Sequence, residues 1–136
     1  MTGPEKLEGE ALAAAVAVEV MGWHKATGQL VWWDDRGATP YGVSDHPESY
    51  RTRGCHYRPH RDWNQAMEAA AGVCRKLDCS IAVSMYVNCD NDLIYTAEIS
   101  HPDGRWGPVS SSMSGPTTVS RATLKTVRAA KEKTDG

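Results

Sequence analysis

Phenylalanine is missing from all 136 residues, so the aromatic load falls on five Trp and five Tyr. Long apolar runs are missing too. The longest, Ala11 to Val18, is Ala-rich and too short to span a membrane. The start, Met1-Thr2-Gly3-Pro4-Glu5, lacks the basic residues and apolar block of a signal peptide. There is no basic excess. Fifteen Lys and Arg face 17 Asp and Glu, a net charge of −2, which argues against a duplex nucleic-acid binder. Cysteine pairs at zinc-ligand spacing are also missing, since the nearest pair, Cys74 and Cys79, straddles a helix end. No nucleophile elbow, phosphate loop or metal-hydrolase motif occurs. The expectation is a non-enzyme with no metal and no cofactor. With neither leader nor span it is expected in the cytoplasm, with its four cysteines as free thiols.

What is present fits one soluble domain over 1–136. The apolar share is 40% and the charged share 24%. Glu10 to Met21 reads as a helix, with Leu12, Val16, Val20 and Trp23 on one face. Gly22 suits the left-handed position that ends a helix, and Trp23 suits the apolar contact that closes it. Leu30 to Trp33 reads as a strand ending at Asp34-Asp35-Arg36-Gly37. From there, 34–61 reads as a long irregular loop. It gathers Arg51, Arg53, His56, Arg58, His60 and Arg61, either as a solvated stretch or as an anion contact.

Asp62 and Gln65 form a capping-box pattern for a second helix to Leu77, whose buried face is expected along Met67, Ala70, Ala71, Cys74 and Leu77. Ser80–Asn88 and Leu93–Ser100 alternate in period two. Arg105–Met113 is a weaker strand containing Gly107 and Pro108. Short connections make this an antiparallel meander. A third helix follows, with Val119, Ala122, Val127 and Ala130 on its apolar face and Arg121, Lys125 and Arg128 on another. The fold class expected is α+β: an antiparallel sheet of about four strands covered by three helices. Leu12, Val16, Val20, Met67, Cys74, Val119 and Val127 are expected to pack the helices on the sheet.

The chemistry concentrates at the entry to the last helix. Met113-Ser114-Gly115-Pro116-Thr117-Thr118 is a turn of small and hydroxyl residues, with Arg121 one turn on. Free backbone N–H groups, hydroxyls and the helix dipole favour an anion there. Arg121 is expected to face solvent, and Arg128 to lie beyond the dipole end. Rival chemistries are less organised. Cys55, His56 and His60 lie close in sequence, and Cys74, Cys79 and Cys89 are candidates to join them at a metal. A Cys-His arrangement leaves room for a hydrolase. Asn88-Cys89-Asp90-Asn91-Asp92 carries alternating oxygens, without the central Gly and terminal Glu of a calcium loop.

The element order resembles the small phage proteins of the ABA sandwich family. Three signatures carry the likeness: a first helix closing on Val20-Met21-Gly22-Trp23, an aromatic-rich loop running into Arg61-Asp62-Trp63-Asn64-Gln65-Ala66-Met67, and the small-residue turn before a last helix with Ala122 and Leu124. Proteins of this type resemble the Thoeris anti-defence sponges of phages. The resemblance implies a homo-oligomer in the cytoplasm of a bacterial host cell. It also implies capture, without cleavage, of a cyclic nucleotide signal of the Thoeris or CBASS kind. The alternative is a phage accessory protein acting through protein contacts. On physical grounds the candidate ligand-binding residues are Arg105 and Arg121 for phosphate, Tyr86 and Trp106 for stacking, and Asn88, Asn91, Thr117 and Thr118 for polar contacts.

Overall fold

The computed structural model describes residues 3, 6–25, 31–43, 56–101 and 106–135. The chain is α+β, with three helices and antiparallel strands. Helix α1 is Gly9–Ala15, and it continues as a π segment, Val16–Val20. There the Met21 N–H donates to the Val16 carbonyl five residues back. Gly22 then takes the left-handed φ of 73°, and the Trp23 N–H donates to the Ala17 carbonyl at 2.9 Å. This is the glycine-ended cap that the sequence announces. Leu12 and Val16 are fully buried and Trp23 nearly so.

The strands form two sheets rather than one. β1 (Val31–Asp34) and β2 (Gly37–Gly42) make a hairpin. The Asp34 carboxylate closes its turn by accepting from the Arg36 and Gly37 N–H groups at 2.8 and 3.1 Å. The segment expected to be loop from 34 therefore holds a strand. Gly37, Pro40 and Gly42 hide its alternation. The second sheet has order β3-β4-β5, with β3 Ser80–Val87, β4 Leu93–Ser100 and β5 Trp106–Ser112. This is the expected meander. Residues 102–105, where the sequence Pro102-Asp103-Gly104 reads as a turn, and the arginines Arg51 and Arg53 lie outside the described residues.

Helix α2 is Trp63–Leu77. The Asp62 carboxylate accepts from the Gln65 N–H at 3.1 Å. The reverse half of the capping box does not form. The Gln65 side chain instead accepts from the Arg58 N–H and donates to the His56 carbonyl, which ties the approach segment to the helix. The buried residues are Gln65, Ala66, Ala69, Ala70 and Val73. Met67, expected inside, is exposed, and Cys74 is half-buried. Their places against the neighbouring elements go to alanines, because small side chains let α2 lie close to the last helix.

Helix α3, Gly115–Asp135, is the axis of the molecule. It packs on β4, β5, α2 and the π segment. Val119 and Ala122 are fully buried, as expected of an apolar face, whereas Val127 and Ala130 are only partly covered, and Leu124 is fully buried toward the hairpin side. Thr118, Ser120, Thr123 and Thr126 are buried as well. Their hydroxyls are satisfied locally. Thr118, Thr123 and Thr126 donate to carbonyls four residues back at 2.8–2.9 Å, and Ser120 donates to the Pro59 carbonyl at 2.9 Å. At the start of α3, a Cβ on Gly115 would collide with the Trp63 indole, so this close approach requires glycine.

Two clusters of buried residues result. One joins Leu12, Val16, Trp23, Trp32, Tyr57 and Leu124, and the other joins Ala66, Ala70, Ala97, Ile99, Val119 and Ala122. The first helix therefore packs against the hairpin side of α3 rather than on the meander. Among the described residues, no helix is long and apolar enough to cross a membrane.

Candidate anion-binding site

A cleft of about 660 Å³ opens where α1, the approach to α2 and the entry to α3 meet. Its walls are Glu8, Gly9 and Glu10, then Arg58, His60 and Arg61, then Ser112, Met113, Ser114, Thr117 and Arg121. Three elements bring it together. The Gln65 clamp fixes the chain at His56 and Arg58, and the Thr117 hydroxyl donates to the His60 carbonyl at 3.0 Å. That bond pins the approach segment to the first turn of α3.

Arg121 is in the cleft wall but does not face solvent freely. Its side chain is 12% exposed, and Nε and Nη2 donate to the Leu7 carbonyl at 3.2 and 3.0 Å. The carbonyl is neutral, and the nearest carboxylate oxygen, on the well-exposed Glu8, is 3.9 Å away. The Arg121 charge is therefore only loosely compensated. Arg128 differs. It makes a bidentate pair with Glu19, both bonds 2.9 Å. That hydrogen bond holds the Glu19 carboxyl below its usual range and pushes the Arg128 guanidinium up. His60 is nine-tenths buried, and its Nδ1 has no partner. Burial, with Arg61 and Arg58 nearby, pushes its pKa down, so the ring is neutral near pH 7.

The entry turn is largely occupied by its own capping. The Thr117 N–H points at the Ser114 hydroxyl at 3.4 Å, and the Ser114 N–H donates to the Ser112 hydroxyl at 3.2 Å. Thr118 is fully buried, with its hydroxyl 2.6 Å from that of Ser112 and bonded to the Ser114 carbonyl. Both threonine hydroxyls are committed internally.

The remaining candidates lie apart from the cleft wall. Asn88 Oδ1 accepts from the Asp90 and Asp92 N–H groups, each at 2.9 Å, which builds the β3–β4 turn. Asn91 occupies that turn with a φ of 66°. Tyr86 is half-exposed on β3. Arg105 and the side chain of Trp106 lie outside the described residues. Arg58 and Arg61 join Arg121 in the wall, and their signal in the sequence was the basic cluster before Asp62. Ser114 belonged to the hydroxyl-rich turn read before the last helix, whereas Glu8 and Glu10 carried no comparable signal.

Among the described residues, no three His, Cys, Asp or Glu side chains converge as a metal site. A Cys-His contact does exist, with Cys79 Sγ 3.8 Å from His101 Nδ1. Burial and the adjacent Asp78 push the Cys79 thiol up, opposite to the shift that makes a nucleophile. No family model, no curated protein and no solved structure matches this chain.

Proposed function

We propose that this chain is a non-enzymatic capture protein. It holds a small phosphate-bearing ligand in the cleft at the entry to α3, and the phage resemblance makes a cyclic nucleotide defence signal the ligand to test. The observation that supports this most is that Arg58, Arg61 and Arg121 line one cleft. Guanidinium groups match phosphate oxygens in bidentate geometry. The start of a 21-residue helix adds its positive dipole end. The volume lies within the range of small-molecule sites. Two glutamates share the wall, and Glu8, being well exposed, can swing away from an incoming anion. Among the described residues no aromatic side chain lines the cleft, so the reading covers the phosphate groups and not a stacked base.

Calorimetry against cyclic di- and trinucleotides, cyclic ADP-ribose isomers and pyrophosphate tests it. Removing one charge-assisted contact costs about 1.5–3 kcal/mol, so Arg58→Ala or Arg61→Ala should weaken binding about ten- to a hundredfold. The bound compound should be recovered unaltered after heating. Flat titrations across the panel overturn the reading and favour the alternative, action through protein contacts, for which the exposed apolar side chains of β3 speak.

A further inference from the structure

β3 is an edge strand of eight residues, Ser80 to Val87, with no charge, no proline and no glycine. Natural edge strands are normally blunted by such residues or by a bulge. The opposite edge, β5, has them. It contains Gly107 and Pro108, and its register on β4 shifts between Glu98 and Ser100. β3 pairs with β4 without interruption from Ser80 to Val87, and among the described residues nothing pairs with its outer side. Its apolar residues are also uncovered. Ile81 tucks against the alanine cluster, but Val83, Met85 and Val87 are 37%, 65% and 61% exposed.

We infer that β3 is a dimerisation edge, pairing antiparallel with β3 of a second copy about a two-fold axis through Ser84. Strand geometry and the apolar pattern together select this register. Opposed residues in an antiparallel pair share a face, so the axis must pass through a residue and not between two. With the axis at Ser84, Ile81 lies opposite Val87 and Val83 opposite Met85, each twice. Ala82 lies opposite Tyr86, and Ser84 opposite itself. Every apolar position on the helix side meets another, and no charge meets a charge. A six-stranded sheet results, with both helix layers on one side. An edge of this length buries on the order of 1,000 Å² in total, at the low end of specific interfaces, so the dimer is a reversible one of micromolar strength.

Sedimentation equilibrium on the full chain tests the association. The wild type should pass from monomer to dimer across the micromolar range. Met85→Lys, which places a charge on an already exposed position, should weaken it tenfold or more with unchanged circular dichroism. A register test uses Ser84→Cys and Ala82→Cys in a chain whose four native cysteines are changed to serine, because the same axis sets Cys79 opposite Cys89. Opposed Cα atoms lie within disulfide reach in this geometry. Mild oxidation should therefore yield a covalent dimer for Ser84→Cys and not for Ala82→Cys. A wild type that stays monomeric to about millimolar concentration overturns the inference, as does a dimer indifferent to Met85→Lys or equal cross-linking of both variants. None of these results depends on what the cleft binds.

Discussion

The two clusters flanking α3 are built from opposite kinds of side chain. On the hairpin side only Ala17 and Ala69 of the nine buried residues are alanines, and Leu12, Val16, Trp23, Trp32, Val43, Tyr57 and Leu124 fill a wide gap with larger groups. Trp23 stacks on Tyr41 at 5.4 Å and meets Tyr57 edge-on at 4.8 Å. On the meander side, four of the six residues are alanines, and the elements come close instead. One flank is stabilised by volume and the other by proximity. The cleft lies at the end of α3 where the chain passes between the two, so its arginines are set by both kinds of packing.

The largest effect should come from emptying the wide side. Trp23→Ala removes one of the two tryptophans of its cluster and should destabilise by about 3–5 kcal/mol, read as a shift in the urea midpoint. A loss below about 1 kcal/mol would show that the hairpin flank is not a packed core. The close side should fail in the opposite direction. Ala122→Leu adds bulk where no space exists and should cost about 1–3 kcal/mol in the same measurement. If Ala122→Leu is neutral or stabilising, the contrast between the flanks is wrong.

The smallest effect concerns the ion pair at the far end of α3. Arg128 and Glu19 are 18% and 23% exposed, so solvent screens them in part, and Arg128→Ala should cost about 1 kcal/mol. The sign with pH follows from the lowered Glu19 carboxyl. Its contribution is fully present above the unfolded value near 4.5 and is lost as pH falls through the lower folded value. The difference in stability between wild type and Arg128→Ala should therefore shrink in acid. His60, held neutral by burial, also destabilises the fold as pH drops below 6.5, but it does so in both proteins and cancels from the difference.

The fold was legible wherever periodicity and capping agreed. The α1 stop at Gly22-Trp23, the α2 start at Asp62 and the three-strand meander all stand as the sequence reads. The missed strand β2 has Gly37, Pro40 and Gly42 in six residues, and such residues signal loop. The burial of α3 was half legible. Val119 and Ala122 announced one face, but Thr118, Ser120, Thr123 and Thr126 read as polar surface. A buried hydroxyl that returns to its own helix carbonyl leaves no sequence mark distinguishing it from a solvated one. The site was legible as two separate candidates, the basic stretch before Asp62 and the turn before α3. That they share one wall depends on the Gln65 clamp and the Thr117 bond, contacts spanning 7 to 57 residues.

The π segment sets a rule for length variation in this chain. Such a segment is what one additional residue makes of an α-helix, and its wider turn absorbs that residue without disturbing what precedes it. Losing a single residue between Val16 and Val20 should let α1 close as ordinary helix and leave Trp23 among its aromatic partners. Losing one within the regular turns of Gly9–Ala15 has no such reserve, and the residues before it would rotate by about 100° about the axis, taking Leu12 out of the core. A deletion in the π segment should accordingly harm the protein less than a deletion in the helix before it, so this stretch is where the helix can change length.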